Sequence, residues 1–210
     1  MAVKNILKVE NLAFVRNDLV QFEPISFVLS LGESLHLEGA NGSGKTTFFQ
    51  LLIGMLQPSA GKLYFRDQLF KDCRFEYLSD ILFIGHQAGV KSALSVEENL
   101  RWMSPDNTTP KQITLALKAV ELAHYANIPC HNLSAGQHRR VALARLMTSN
   151  ASLWYLDEPF AALDKQGVDF IESCMQNHLE KGGSIVFSSH QDLAKMAARR
   201  YKLTPFQEQS

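Results

Sequence analysis

The stretch that decides the fold is Leu35-His-Leu-Glu38 followed by Gly39-Ala40-Asn41-Gly42-Ser43-Gly44-Lys45-Thr46. A short apolar strand runs into a glycine-rich turn, and a helical pattern begins at Lys45. The turn matches GxxxxGK[ST] in full. Glycines let successive backbone N–H groups curl around phosphate oxygens, and the N-terminus of the next helix adds about half a positive charge. The pattern therefore predicts a phosphate-binding loop.

Two side chains of this loop have specific predicted roles. Lys45 is expected to reach the β- and γ-phosphates as a point charge, and the Thr46 hydroxyl is expected to bind Mg²⁺. The predicted nucleotide-binding residues of the loop are Gly39, Ala40, Asn41, Gly42, Ser43, Gly44, Lys45, Thr46 and Thr47.

A second apolar strand, Leu153–Leu156, ends in Asp157 and Glu158. In open α/β sheets, ligands bind at the carboxyl ends of the strands. Adjacent carboxylates on an extended chain point to different sides, so the two can have different chemical roles. Asp157 is predicted to hold Mg²⁺, directly or through water. Glu158 is predicted to orient or deprotonate the water that attacks the γ-phosphate.

Short apolar runs alternate with helical patterns, which predicts an α/β fold with a mainly parallel core sheet and an antiparallel edge. The predicted strands are Ile6–Glu10, Ile25–Ser30, Ser34–Glu38, Lys62–Phe65, Ile81–Ile84, Leu153–Leu156 and Ser184–Ser188. The predicted helices are Lys45–Met55, Val96–Met103, Lys111–Leu122, Ala135–Thr148, Lys165–Leu179 and Gln191–Arg200.

Two predicted helices begin with the spacing of a capping box, Ser95-x-x-Glu98 and Ser134-x-x-Gln137. The pairs Arg139-Arg140 and Arg199-Arg200 are predicted to lie on solvated helix faces. Because the pattern between about Ala88 and Ser149 is nearly all helical, we predict one domain with an inserted helical subdomain. Its nucleotide-binding core is expected to comprise residues 1–87 and 150–210, and the helical subdomain residues 88–149.

Composition excludes several classes of protein. The 21 basic residues balance the 21 acidic ones, whereas a nucleic-acid binder usually carries a basic excess. No apolar run approaches the length of about 20 residues that a membrane-spanning helix needs.

The beginning of the chain lacks the apolar block of a signal peptide. Cys73, Cys130 and Cys174 are widely spaced, which favours free buried thiols in a reducing cytosol.

The run Leu133-Ser134-Ala135-Gly136-Gln137 is close to LSGGQ. Together with the two motifs above, it resembles the signature of the ATP-binding-cassette family, which has the P-loop NTPase fold. Further family landmarks follow in order: a glutamine after an apolar strand, an Ala-Leu-Asp run behind the glutamate, and a histidine after a late apolar strand. In this chain they are Gln87, Asp164 and His190. The resemblance covers about Lys8 to Leu193.

The resemblance implies an ATPase that works with Mg²⁺ as a head-to-tail dimer of two copies. ATP then lies between the phosphate loop of one copy and Ser134, Gly136 and Gln137 of the other. Gln87 is implied to sense Mg²⁺ and the attacking water, and His190 to bind the γ-phosphate and help place that water. Asp164 is implied to contact the opposite copy. The segment Ala88–Ser95 is implied to face a membrane partner.

Finer features resemble the ATP-binding subunit of the haem exporter used in cytochrome c biogenesis. They include Phe83-Ile-Gly-His86-Gln87, the run from Gly136-Gln137 into Arg139-Arg140-Val-Ala-Leu-Ala-Arg145, and Asp157-Glu-Pro-Phe160. This resemblance implies a peripheral subunit at the cytoplasmic face of the inner membrane. It would power haem export or the release of a haem chaperone, together with integral membrane subunits and without nucleic acid.

Two positions depart from the family pattern. Ala135 stands where many cassettes have glycine; alanine adopts helical angles easily and keeps its N–H, so contact with phosphate should survive. Family members often carry an aromatic residue about two dozen positions before the loop, stacked on adenine. Here that position holds Arg16, with Phe14 two residues earlier. Either the Arg16 guanidinium or the Phe14 ring could stack on the base.

Other functions share these motifs. The chain could be an ATP-gated assembly or regulatory subunit of a membrane complex that moves no solute, or the ATPase for a different exported substrate. DNA-repair and chromosome-organising cassettes carry a long coiled-coil insertion, and no heptad run occurs here. Ribosome-associated cassettes normally hold two cassettes in one chain, and this chain holds one.

Overall fold

The computed structural model of the 210-residue chain describes residues 5–161, 163–190 and 197–206. These residues form two compact units. The first contains 5–83, 151–157, 178–190 and 197–206, and the second contains 84–150, 158–161 and 163–177. Each unit has its own buried apolar cluster.

The secondary structure alternates between strands and helices, as predicted. The described strands are β1 (Asn5–Ala13), β2 (Val15–Arg16), β3 (Leu19–Val20), β4 (Ile25–Ser30), β5 (Ser34–Glu38), β6 (Ala60–Phe65), β7 (Gln68–Leu69), β8 (Ile81–Ile84), β9 (Leu153–Leu156), β10 (Ser184–Ser188) and β11 (Arg199–Lys202). The described α-helices are α1 (Lys45–Leu52), α2 (Arg74–Ser79), α3 (Val96–Met103), α4 (Pro110–Ala119), α5 (Ala135–Thr148) and α6 (Lys165–Glu180). Short 3₁₀ turns cover Ala123–Tyr125 and Cys130–Asn132.

The central sheet has five strands in the order β11-β5-β10-β9-β8. β10 pairs in parallel with both β5 and β9, with Val186 opposite Leu35 on one side and Tyr155 on the other. Every residue of β9 and β10 is buried, as expected for strands covered on both faces. The phosphate loop follows β5 and the acidic pair follows β9, so both predicted motifs begin at carboxyl ends of this sheet.

The antiparallel strands form a separate sheet of four, in the order β4-β1-β6-β7. β1 lies in its centre and pairs antiparallel with β4 and β6. The buried cluster of the first unit draws residues from both sheets and from α1, whose Phe48 and Phe49 are fully buried. The predicted α/β class, with a parallel core sheet and additional antiparallel strands, is confirmed.

A pair of tyrosines lies deep in this cluster. The hydroxyls of Tyr77 and Tyr155 are 2.6 Å apart, and Tyr77 also donates to the carbonyl oxygen of Leu52 at 2.8 Å. Burial raises the pKa of both phenols. Both rings therefore stay neutral at physiological pH, and their hydroxyls fasten α2 to the end of α1 and to β9.

The second unit is mainly helical, and its helices begin with strong caps. Both predicted capping boxes are confirmed, at Ser95 with Glu98 and at Ser134 with Gln137. A third, at Thr109 with Gln112, begins α4. One apolar cluster joins α3, α4 and α5, with Leu100, Leu117 and Val141 at its centre.

Three helix predictions need correction. α1 ends at Leu52 and not at Met55, because Gly54 has φ +71° and terminates the helix. α4 starts at Pro110 and ends at Ala119. The predicted helix Gln191–Arg200 is wrong at its end: Arg199 and Arg200 belong to β11, which extends the parallel sheet beside β5. Residues 191–196 of that prediction lie outside the described residues.

The described residues also bear on two further expectations. Among them, no helix is long and apolar enough to cross a membrane. The three cysteines are free: Cys73 and Cys130 are buried, and Cys174 is half-buried.

Candidate functional site

The phosphate loop lies between β5 and α1 in the first unit. Two of its glycines, Gly42 and Gly44, have φ of +80° and +95°, a backbone conformation that side chains rarely adopt. Gly44 also has no room for a side chain, because a Cβ there would lie 2.7 Å from the ring of Phe22. At Gly39, a Cβ would lie 2.3 Å from Ser43 Oγ. The loop therefore needs glycine at Gly42 and Gly44 for its backbone conformation, and at Gly39 and Gly44 for its close packing.

Lys45 folds back over the loop. Its ammonium donates to the carbonyl oxygen of Gly39 at 2.7 Å and to that of Ala40 at 3.3 Å. Ser43 Oγ, by contrast, is buried and has no hydrogen-bond partner within the described residues. A positive charge and an unsatisfied hydroxyl thus lie in one tight turn, and this combination fits an anionic ligand with several acceptor oxygens.

The first carboxylate of the acidic pair meets this loop. Asp157 is 1% exposed, and its Oδ2 accepts from Thr46 Oγ1 at 2.8 Å. Its Oδ1 accepts from Ser188 Oγ, also at 2.8 Å. Mg²⁺ binds oxygen ligands, and a phosphate-loop hydroxyl and a carboxylate at a strand end are a known pair of such ligands. The structure therefore brings together the two predicted metal ligands of the first unit, and the donor set fits a magnesium ion.

The remaining loop residues differ in exposure. Asn41 and Thr46 are exposed, and Thr47 is half-buried. Arg16 is exposed on the hairpin of β2 and β3, whereas Phe14 is half-buried and packs against the core of the first unit. His190 is exposed just after β10.

The second carboxylate, Glu158, belongs to the second unit and has φ +52°. For a residue other than glycine this left-handed conformation costs about 1–3 kcal/mol. Arg139 of α5 stabilises it by donating to the Glu158 carbonyl oxygen at 2.7 Å. The prediction of a solvated face for Arg139 is wrong, since this side chain is buried. Arg140 is half-buried and ion-pairs with the exposed carboxylates of Glu121 and Asp164.

The predicted signature begins α5. Ser134 caps the helix by accepting from the N–H of Gln137 at 3.2 Å, and the Gln137 side chain accepts from the Ser134 N–H at 2.9 Å. Ser134 is exposed. At Gly136 a Cβ would meet nothing closer than Ser134 Oγ, at 4.0 Å. Packing against the described residues therefore does not explain why this position holds glycine.

Two further predicted residues lie in loops of the second unit. Gln87 is exposed after β8. Asp164 is also exposed, and its two carboxylate oxygens are held by its own chain: Oδ1 accepts from the Gly167 N–H at 2.8 Å, and Oδ2 accepts from Arg140 at 2.7 Å. The first bond caps α6.

Sequence reasoning missed two residues that support the site. Ser188 ends an apolar strand, and its position beside the β9 carboxyl end was the available signal. Arg139 follows the signature by two positions, and nothing in the helical pattern distinguishes its buried face from a solvated one. Both residues act on the acidic pair, Ser188 on Asp157 and Arg139 on Glu158.

Comparison with known proteins adds independent information. Residues 22–161 match the sequence profile of the family described as ABC transporter. The cytochrome c biogenesis ATP-binding export protein CcmA of Pseudomonas putida is 44% identical over 191 residues, covering 90% of this chain and 91% of the relative. The protein of the same name from Escherichia coli O157:H7 is 42% identical over 201 residues, covering 95% and 97%.

A solved structure shows the same fold. An ATP-binding cassette, determined as a dimer in a post-hydrolysis state with ADP and Pi, matches with a TM-score of 0.81. The match covers 95% of this chain and 94% of that one at 24% sequence identity.

Proposed function

We propose that this chain, which belongs to the ABC transporter family, hydrolyses ATP to power haem export or the release of a haem chaperone in cytochrome c biogenesis. Family membership rests on the profile match and on relatives that are 39–44% identical over 90% or more of the chain. Those relatives are named as ATP-binding export proteins of cytochrome c biogenesis. The name supports the assignment of the transport step.

The observation that carries the proposal is the 2.8 Å contact between Thr46 Oγ1 and Asp157 Oδ2 at the phosphate loop. It brings a hydroxyl and a carboxylate together at the glycine-rich loop. A bound Mg²⁺ would supply positive charge that offsets the charge of the triphosphate. Thr46 and Asp157 would hold the ion, and Gln87 is the third proposed ligand.

The loop would hold the triphosphate by its main chain. Backbone N–H groups of the segment from Gly39 to Thr47, including those of Asn41 and Gly42, would donate to phosphate oxygens. Lys45 would exchange its two carbonyl partners for the β- and γ-phosphates, which are stronger acceptors for an ammonium group. Ser43 would gain an acceptor for its buried hydroxyl.

Glu158 would take the proton of the attacking water, and His190 would bind the γ-phosphate and help place that water. This role is supported by the position of Glu158 directly after the proposed metal ligand Asp157 and by the hydrogen bond from Arg139 that holds its backbone. Gln87 would connect the water and the ion to the loop that faces the membrane partner.

We propose that the working state is a head-to-tail dimer with ATP between two copies. Ser134 is exposed at the N-terminus of α5, where the helix dipole favours an anion. The open space at Gly136 would let the partner's γ-phosphate approach the backbone, with Gln137 fixed beside it. Asp164 would contact the other copy. The solved relative in a dimeric state with ADP and Pi supports this arrangement.

Adenine would stack on Arg16 or Phe14. Arg16 is exposed and free to present its guanidinium plane, whereas Phe14 already packs against the core. This difference favours Arg16. The whole chain would act as one cassette domain, with residues 1–87 and 150–210 as nucleotide-binding core and 88–149 as helical subdomain.

The segment that would face integral membrane subunits, Ala88–Ser95, is held in place by hydrogen bonds to α3. Asn99 is fully buried, accepts from the Lys91 N–H and donates to the carbonyl oxygens of Lys91, Leu94 and Ser95. Asn99 therefore holds the loop after Gln87 against α3. A displacement of this loop by the membrane subunits would be transmitted to the helix. In this proposal the subunit is peripheral, at the cytoplasmic face of the inner membrane, and binds no nucleic acid.

Reconstitution with the membrane subunits that co-purify with the chain tests the proposal. We expect ATP hydrolysis and movement of haem, or haem loading and release of its chaperone, to appear together and to stop together in Glu158→Gln. ATP hydrolysis without any haem-linked change would contradict the transport assignment. An ATPase that only times assembly of the complex would show that outcome.

A further inference from the structure

We propose that Arg139 is a positioning residue for hydrolysis, which holds the backbone of Glu158 and the strand end before Gln87 in fixed relation to the signature helix. This inference rests on the proposed function, because it takes Glu158 as the general base. Its evidence is the hydrogen bonding of one buried guanidinium within the second unit.

Arg139 lies in the second turn of α5 and is 6% exposed. Its Nη1 donates to the carbonyl oxygen of Gly85 at 2.5 Å, and its Nη2 donates to that of Glu158 at 2.7 Å. Hydrogen bonds from a charged donor are about twice as strong as neutral ones. Because both terminal nitrogens of the planar guanidinium donate, the group also fixes the relative direction of the two carbonyl groups. A flexible ammonium group would not do so.

The two acceptors are not arbitrary backbone positions. Gly85 directly follows β8 and precedes Gln87 by two residues. Glu158 is the proposed base itself, and its φ of +52° is a conformation that needs outside support. Arg139 therefore joins the backbones of both segments whose side chains would handle the attacking water.

The third connection is α5 itself. The first turn of this helix, capped by Ser134, is the part proposed to contact the partner's ATP. Arg139 follows one turn later on the same rigid element. A shift of the helix N-terminus on dimer formation would therefore move the Arg139 guanidinium, and with it the carbonyl groups of Glu158 and Gly85. In this way the state of one nucleotide site would set the geometry of the base in the same chain.

The experiment compares Arg139→Met with the parent chain in the complex purified with its membrane subunits. We expect kcat for ATP hydrolysis to fall roughly 10–100-fold, the usual effect of a small misplacement of a reacting group. The dissociation constant for ATP should change less than about threefold, because Arg139 lies outside the phosphate loop. The control is Arg101→Met, which removes an exposed arginine of α3 paired only with Glu97 among its described contacts, and it should leave both quantities unchanged.

A double variant separates positioning from general stability. In the Glu158→Gln background, Arg139→Met should cause no further fall in kcat, because its effect passes through the base. Thermal melting identifies variants that fold. If Arg139→Met does not fold, Arg139→Lys, which keeps the charge but offers one nitrogen for two carbonyl groups, should show the kcat loss in milder form.

A folded Arg139 variant with the parent's kcat, or one whose ATP affinity falls as much as its kcat, would overturn the inference. An additive further loss in the Glu158→Gln background would overturn it as well. If Glu158→Gln itself hydrolyses ATP at the parent's rate, the role of Glu158 in the proposed function fails first, and that single variant reveals it.

Discussion

Thr46 Oγ1 donates to Asp157 Oδ2 across 2.8 Å, although 111 residues separate the two in the chain. The contact exists because β5 and β9 flank β10 in one parallel sheet and end at the same edge. Each strand delivers one polar group to that edge. The fold thereby places the two proposed magnesium ligands at hydrogen-bond distance from each other.

The support for this pair can be tested at Ser188. In Ser188→Ala, Asp157 loses the hydrogen bond to Oδ1, and a buried hydrogen bond to a charged group contributes about 1.5–3 kcal/mol. We expect the Mg²⁺ concentration needed for half-maximal ATP hydrolysis to rise about tenfold. The control is Ser184→Ala in the same strand. The Ser184 hydroxyl accepts from the Gly32 N–H and donates to the Ser30 carbonyl oxygen, so this variant should lower stability and leave the Mg²⁺ requirement unchanged. An equal Mg²⁺ requirement in Ser188→Ala and parent would contradict the role of Ser188.

The phosphate loop is tested by Lys45→Ala. Removing the ammonium deletes the only side-chain cation that bonds within the described part of the loop, so affinity for the triphosphate should fall by at least about tenfold, or 1.4 kcal/mol. Calorimetric titration with ATP measures the change. Lys118→Ala, on the last turn of α4, removes an equal charge elsewhere and should bind ATP normally. Equal ATP affinity in Lys45→Ala and the parent would count against the loop.

The general base is tested by Glu158→Gln. This change keeps the size of the side chain and one acceptor oxygen but removes the basic carboxylate. We expect ATP binding to persist, hydrolysis to slow roughly 10²–10⁴-fold, and an ATP-bound dimer to accumulate. Phosphate release and size-exclusion chromatography with ATP report the two effects. The matched control is Glu76→Gln on α2, which should hydrolyse ATP at the parent's rate. An unchanged rate in Glu158→Gln would remove this residue from the mechanism.

The two N-cap residues Ser134 and Thr109 allow the effect of a cap on helix stability to be distinguished from an effect on nucleotide binding. Ser134→Ala and Thr109→Ala each break a capping box, and each should cost about 0.5–2 kcal/mol of unfolding free energy. Only Ser134→Ala should also impair ATP-dependent dimer formation, since α4 has no proposed ligand. Denaturant unfolding and light scattering with ATP measure the two properties. The signature assignment fails if both variants dimerise equally well.

Acid sensitivity should arise in part from His178. Its ring stacks on Trp154 with centroids 3.8 Å apart, and burial lowers its pKa to about 4. In the unfolded chain this histidine has an ordinary pKa near 6.5. Between that pH and about pH 4, the unfolded state therefore binds a proton that the folded state does not bind. The contribution of His178 to the free energy of unfolding should therefore be fully present above pH 6.5. It should fall by about 1–3 kcal/mol as the pH drops to 4.

Denaturant unfolding at pH 7 and pH 4.5 measures this loss. His178→Leu should lose less stability on acidification than the parent, while His124→Leu, which removes an exposed histidine, should match the parent. A parent and a His178→Leu variant with the same acid dependence would exclude His178 as a cause.

Most of the parallel sheet could be predicted, because buried parallel strands are continuous apolar runs that end in polar motifs. Leu153–Leu156 and Ser184–Ser188 have the predicted bounds. The strand β11 could not be predicted in this way. Arg199 and Arg200 are charged and exposed on an edge strand, and their place is decided by pairing with β5, which a local pattern does not contain.

The candidate site shows the same division. Glycine spacing and strand ends predict the phosphate loop and the acidic pair, since those motifs are local in sequence. The contacts that hold them are long-range: Ser188 reaches Asp157 from a neighbouring strand, and Arg139 reaches Gly85 and Glu158 from a helix. A buried arginine and a solvated one look alike in a helical pattern, because the pattern does not record where backbone carbonyls lie.

The most direct measurement is a structure of the Glu158→Gln chain with ATP and Mg²⁺ in complex with its membrane subunits. The account predicts the triphosphate in the loop from Gly39 to Thr46, Lys45 on the γ-phosphate, a metal ion beside Thr46 and Asp157, and Ser134 of a second copy across the same nucleotide. A nucleotide bound elsewhere, or Lys45 still turned onto the carbonyl groups of Gly39 and Ala40 with ATP present, would contradict it.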